Sequence, residues 1–166
     1  MHARRSLRVS KAINYAEVDS DLEDEGLNWD KLELGVLMKQ STIPEAGRGV
    51  FATIDFQKDD VVTEYIGRII SVPTMRKLTE GRRCWYIAQI GGKLFIDGRR
   101  FRGPIGAQLT QLGSMVNDSR GQVPWNVRLH ACPRQKRLFL VAQRPIAPGD
   151  ELFLNYGTRY WQYKGQ

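Results

Sequence analysis

The apolar runs of this chain are short, and turn-forming residues interrupt them every few positions. Leu32–Gln40 reads as a strand. Pro44, Gly47 and Gly49 mark a turn before the next apolar run, and Ile54–Asp60 reads as another turn. Val61–Ile70 is rich in β-branched residues and reads as one strand. Trp85–Gly98 reads as a hairpin turning at Gly91-Gly92. Val127–Pro133 and Arg137–Ile146 read as two more strands. Ala147–Asp150 is a turn, and Glu151–Gly157 is a final strand. Helix is confined to Val72–Gly81, with a proline near its start, and to a turn or two within 103–119. This pattern predicts a mostly β domain with short helices. It lacks both an internal repeat and the βα alternation of a doubly wound nucleotide-binding sheet. Gly47-Arg48-Gly49 is too short to be a dinucleotide fingerprint.

The 166 residues suit one domain with flanks. Residues 1–31 form a charged flank, in which Arg4, Arg5 and Arg8 precede the acidic run Asp19–Glu25. The domain spans 32–161, and 162–166 is a tail. No apolar run approaches the roughly 20 residues that cross a bilayer, and the N-terminus lacks the apolar stretch of a secretory signal, so no membrane partner is expected. Cys84 and Cys132 have no CxxC spacing, which argues against a zinc cluster and suits a reducing compartment. The net charge of +7 is uneven: residues 61–166 hold 17 of the 25 basic side chains but 6 of the 18 acids. That half is either a solvated basic surface or one that attracts nucleic acid.

Four segments carry candidate chemistry, each with a plainer reading beside it. Ala46–Ala52 (AGRGVFA), followed by Glu64–Gly67 (EYIG), holds glycines that let a backbone turn and approach a ligand, or that simply lead into a strand. Cys84–Ile90 holds Tyr86, a core ring or a phenol with a useful hydroxyl. Ile96-Asp97-Gly98-Arg99 leads to Asn117-Asp118-Ser119 and Trp125-Asn126, where Asn and Asp are also common loop residues. Pro148–Trp161 ends a strand in Tyr156-Gly157 and adds Tyr160, Trp161 and Tyr163 beyond it.

In this order, over roughly residues 34–161, these segments resemble the SET-domain family of protein-lysine methyltransferases. The resemblance implies a fold of small sheets with a C-terminal pseudoknot that brings the third and fourth segments together. It implies S-adenosylmethionine as methyl donor, with no metal. Tyr156 falls on the family's catalytic tyrosine, and Tyr86 on a tyrosine near the donor and the lysine channel. Gly47, Arg48, Gly49 and Phe51 match the donor loop, and Asn117 and Asp118 the segment that holds the adenine end. Tyr86, Tyr156 and Trp161 complete the expected donor contacts. The chain departs from the family in several places. Asp118 stands for the usual histidine, and Arg120–Pro124 lengthens the loop. Extra residues lie between Gly103 and Ser114. Leu154 stands where a second tyrosine is common and, with Leu129, hints at an apolar wall. No cysteine follows Cys132 to build a zinc module, so Tyr160, Trp161 and Tyr163 are left to close the site or to cover the core edge.

The implied reaction is attack by a neutral lysine amine on a sulfonium methyl, which is mainly a problem of alignment. An unperturbed lysine, with a pKa near ~10.4, must lose its proton first. A narrow aromatic channel favours that loss by desolvation. Asp118 is either a base or a surface-loop carboxylate. The expected partner is a protein or peptide with a target lysine, histone as the class, in the nucleus or otherwise the cytoplasm. Two alternatives stand beside this reading: a catalytically silent SET fold used as a binding module, and a basic β-domain that holds nucleic acid through aromatics such as Trp125, Tyr160 and Trp161.

Overall fold

The computed structural model describes residues 26–81, 85–99, 110–158, 160 and 161. The charged flank to residue 25, Cys84, the stretch 100–109 and the tail 162–166 with Tyr163 lie outside the described residues. In chain order the elements are β1 (Val36–Gln40), β2 (Arg48–Ala52), β3 (Val61–Glu64), β4 (Arg68–Ser71), α1 (Val72–Glu80), β5 (Ile87–Gly91), β6 (Leu94–Asp97), a 3-10 turn (Gly113–Met115), β7 (Val127–Cys132) and β8 (Arg137–Ala142). All pairings between these strands are antiparallel: β1 with β2, β3 and β7 on either side of β8, and β4 and β5 on either side of β6. The expected mostly β architecture is observed; α1 is joined by a short helical stretch that includes residues 158, 160 and 161.

Local chemistry explains the elements. Pro73 lies in the first turn of α1, where a missing N–H costs nothing, and Gly81 ends the helix. The β5–β6 hairpin turns through Gly92, whose φ of +52° suits glycine. The central strand β8 is buried from Leu138 to Ala142, so it reads as a continuous apolar run with no alternation. Leu138, Leu140 and Ala142 face the main core with Met38, Phe56 and Leu152. Phe139 and Val141 face a smaller cluster with Leu32, Val61 and Cys132. Leu27 and Trp29 pack on that second cluster, and the Trp29 ring meets Phe139 edge-on at 4.9 Å. Packed structure therefore begins before Leu32.

Two expectations are corrected. Val61–Ile70 is not one strand but two, β3 and β4, in different sheets. The chain breaks at Tyr65–Gly67. The Tyr65 N–H donates to the Leu138 carbonyl at 2.8 Å. Gly67 then passes so close to β6 that a Cβ there would collide with the Asp97 carbonyl. Glu151–Gly157 is not a regular strand either. It makes single bridges to three separate partners: Glu151 to Phe51, Phe153 to Asn117 and Leu154 to Val127. The side chain of Asn126 acts as a substitute ladder here. It donates to the Glu151 carbonyl at 2.8 Å and accepts from the Phe153 N–H at 2.7 Å. The third and fourth sequence segments are thereby brought side by side.

Candidate functional site

Four stretches of chain converge on a cleft of 460 Å³: Glu45–Arg48, Trp85-Tyr86, Ser114–Arg120, and Tyr156 with Tyr160 and Trp161. A second cavity of 550 Å³ lies beyond Asp118, Arg120 and Trp161, which line both, and Trp125 and Gly157 line its far side.

The first stretch is the turn between β1 and β2. Gly47 adopts φ +73°, and nothing lies within 4 Å of where its Cβ would be, so the turn is open on that side. A buried carboxylate fixes the turn from below. Glu151 accepts from Ser41 Oγ at 2.7 Å, Thr42 N at 2.7 Å and Thr42 Oγ1 at 2.5 Å. Asn117 Nδ2 donates to the Arg48 carbonyl at 2.8 Å and ties the same turn to the third stretch.

Asp118 is the hub of the third and fourth stretches. It is 4% exposed. Its Oδ1 accepts from Trp125 Nε1 and Arg120 N, each at 2.9 Å. Its Oδ2 accepts from Tyr156 N and Trp161 Nε1, each at 3.0 Å. Burial alone pushes this carboxyl up, but the two indoles and two amides outweigh it and hold it below the usual carboxylate range. It is neither the surface-loop carboxylate nor the base of the two sequence readings, because both oxygens are committed as acceptors. Its task is to join the 120–125 loop to the C-terminal aromatics.

Those aromatics wall the cleft. The Tyr156 and Tyr160 rings meet edge-on at 4.5 Å, Tyr160 and Trp161 at 5.0 Å, and Trp85 and Tyr160 at 5.9 Å. Trp161 lies near-parallel to Tyr156 at 6.2 Å, and the Arg120 guanidinium sits 5.1 Å from the Trp161 ring. Tyr156 Oη donates to the Val116 carbonyl at 2.6 Å. Burial, then the neighbouring Tyr160, Tyr65, Asp118 and Tyr86, raise its pKa well above that of an ordinary phenol. Tyr65 is raised likewise, chiefly by burial, and its Oη donates to the Tyr86 carbonyl at 2.7 Å. Both phenols are therefore neutral at physiological pH. Tyr86 is 37% exposed, at the cleft's mouth.

Of the expected site residues, Gly47, Arg48, Tyr86, Asn117, Asp118, Tyr156 and Trp161 share this one cleft. Phe51 does not line it. The chain beyond Arg48 turns into the core, where Phe51 is 4% exposed and its ring is covered by Lys39 at 4.3 Å. Gly49 does not line it either, since a Cβ there would collide with the Glu151 carboxylate. Its smallness admits that carboxylate, not a ligand. Sequence reasoning missed Trp85, Ser114, Met115 and Arg120 in the lining, and Glu151 beneath it. Only Trp85, adjacent to Tyr86, carried a usable signal. Among the described residues, no three His, Cys, Asp or Glu side chains are grouped to hold a metal ion, and no helix is long and apolar enough to cross a membrane.

Comparison with known proteins places this geometry in context. Residues 47–157 match the SET domain family. The N-lysine methyltransferase KMT5A of Xenopus tropicalis is 32% identical over 164 residues, covering 94% of this chain and 45% of that protein. The histone-lysine N-methyltransferase Set8 of Drosophila melanogaster is 30% identical, covering 94% of this chain and 22% of that protein. The chain thus spans less than half the length of these relatives. Among solved structures, Polycomb Repressive Complex 2 of Chaetomium thermophilum aligns with a TM-score of 0.58 at 22% identity, over 78% of this chain and 17% of that one. The ctPRC2 structure in an autoinhibited conformation, bound to S-adenosylmethionine, aligns at 0.59 with 21% identity, over 79% of this chain and 16% of that one. These structures share the fold.

Proposed function

This chain belongs to the SET domain family, and we propose that it transfers a methyl group from S-adenosylmethionine to the side chain of a protein lysine, with histones as the substrate class. The observation that carries the proposal is Tyr156, held neutral and half-buried beside an aromatic cleft that four separate stretches of chain build. The names of the Xenopus and Drosophila relatives support lysine, and histone lysine, as the acceptor. The histone-lysine methyltransferase name of the Drosophila relative supports a nuclear location.

The cleft suits the donor. The open turn at Gly47 lets a ligand meet backbone groups, and the indole of Trp161 offers a flat face. Gly47, Arg48, Asn117, Asp118 and Trp161 would hold it. When bound, S-adenosylmethionine supplies an electrophilic methyl carried on a sulfonium. The chain's own contribution is alignment and desolvation. A lysine entering between Tyr86, Tyr156 and Tyr160 loses water, which lowers its pKa from ~10.4 toward the working pH and frees the amine. Asp118 is too fully bonded to take the proton, so solvent removes it. The Tyr156 ring walls the channel, and its Oη, having donated to Val116, keeps lone pairs that orient the amine or methyl.

Calorimetric titration with S-adenosylhomocysteine tests the cleft. Saturable one-to-one binding is expected. A folded chain that shows no heat would contradict the proposal and favour a SET fold used only for binding.

A further inference from the structure

Ser114 is the side chain that the fold leaves unexplained. It sits in the 3-10 turn Gly113–Met115, is 4% exposed, and lines the 460 Å³ cleft. Among the described residues its Oγ is the buried side-chain polar atom that makes no hydrogen bond. Folded proteins rarely bury a hydroxyl in this way, because it forfeits its bonds to water with no return. Such a group is explained when a ligand supplies the partner.

The neighbouring hydroxyls narrow what that partner is. Ser114 and Tyr65 flank Gly98: a Cβ at Gly98 would lie 2.6 Å from Ser114 Cβ and 3.0 Å from Tyr65 Cε1. The Tyr65 proton is donated to the Tyr86 carbonyl and the Tyr156 proton to the Val116 carbonyl. Each phenol can then only accept. Leu154, at a position where the family resemblance implies a further tyrosine, is an apolar core residue 6% exposed. Among the described residues, Ser114 is the buried hydroxyl near this tyrosine cluster with both its proton and its lone pairs uncommitted, whereas Tyr86, 37% exposed, reaches solvent.

Resting on the methyltransferase reading above, we propose that Ser114 Oγ hydrogen-bonds the amine of the target lysine and limits how many methyl groups it receives. The hydroxyl accepts an N–H of the amine, which turns the nitrogen lone pair toward the methyl donor. It also occupies space that a further methyl would need. Ser114 is thus a specificity-determining residue for the acceptor.

The test compares wild type with Ser114→Ala on recombinant core histones, reading turnover, methylation state by mass spectrometry, thermal melting and affinity for S-adenosylhomocysteine. Because the hydroxyl has no partner in the fold, S114A should melt at the same temperature or higher and bind S-adenosylhomocysteine unchanged. Its kcat/KM should fall about tenfold, the equivalent of one hydrogen bond, and its products should shift toward higher methylation. A lowered melting temperature with unchanged products would make Ser114 merely structural and overturn the proposal. Weaker S-adenosylhomocysteine binding with unchanged products would assign the hydroxyl to the donor and overturn it equally. An active wild type with S114A indistinguishable from it would sink Ser114 alone. A wild type that binds S-adenosylhomocysteine but methylates nothing would sink the lysine reading itself.

Discussion

Asp118 and Glu33 show how much a single carboxylate decides here. Asp118 gathers two indoles and two amides, so Asp118→Ala leaves four donors without their acceptor. A loss of about 3 kcal/mol in stability is expected from denaturant unfolding. Because the hub holds its pKa down, its contribution is full at neutral pH and fades as pH falls through the folded-state value. Glu33 has the opposite sign. Its carboxyl accepts from Thr63 Oγ1, Glu64 N and Gln111 N, yet burial, with the nearby Glu64, raises its pKa from 4.5 to about 6. Glu64 is itself paired with Arg137 at 2.8 Å. The folded chain therefore holds the Glu33 proton more tightly than the unfolded chain does. Stability falls as pH rises from 4.5 to about 6, by about 2 kcal/mol in all. Unfolding midpoints across that window should show this slope in wild type and lack it in Glu33→Gln; an equal slope in both would refute the assignment. Neither role was legible in sequence. Asp118 looked like a loop residue because its four donors come from positions 2 to 43 residues away, and Glu33 looked like part of a strand.

At the scale of elements, the short strands, the Gly91-Gly92 hairpin, the helix after Ser71 and the turn at 147–150 were legible because local residues dictate them. What was not legible was where one run becomes two. Val61–Ile70 is uniformly strand-like, and its division into β3 and β4 is imposed by β6, through the close approach of Gly67 to Asp97. Gly67→Ala should therefore cost about 1–3 kcal/mol by overpacking, with the melting temperature as the readout. An unshifted midpoint would mean that the contact relaxes freely. Glu151–Gly157 has strand composition, but its bonding goes to three places at once, and the Asn126 amide stands in for a neighbouring strand. Asn126→Ala removes both bonds and should destabilise the chain by about 2–3 kcal/mol in urea unfolding, each bond contributing about 1 kcal/mol and more where a group is left buried and unpaired.

On the scale of the whole molecule, the cleft exists only because distant segments meet. The order of motifs anticipated which segments, and seven of the nine expected donor or catalytic residues line one cleft. The two exceptions, Gly49 and Phe51, follow Arg48, where the chain leaves the surface; a local motif cannot report that turn. The excess of basic residues beyond position 60 adds a separate expectation. If that surface contacts DNA, binding should weaken steeply between 50 and 200 mM salt in a titration with a labelled duplex; salt-independent or absent binding would make it a solvated face. Methyl transfer at Tyr156 is the activity on which the other roles depend. Tritiated S-adenosylmethionine incubated with recombinant core histones should label them in the presence of the wild-type chain. Tyr156→Phe should lower that labelling about 100-fold, through lost alignment of the amine, while its affinity for S-adenosylhomocysteine stays intact. Labelling at the same rate by the folded Tyr156→Phe chain, or none by a wild type that binds S-adenosylhomocysteine, would contradict the account.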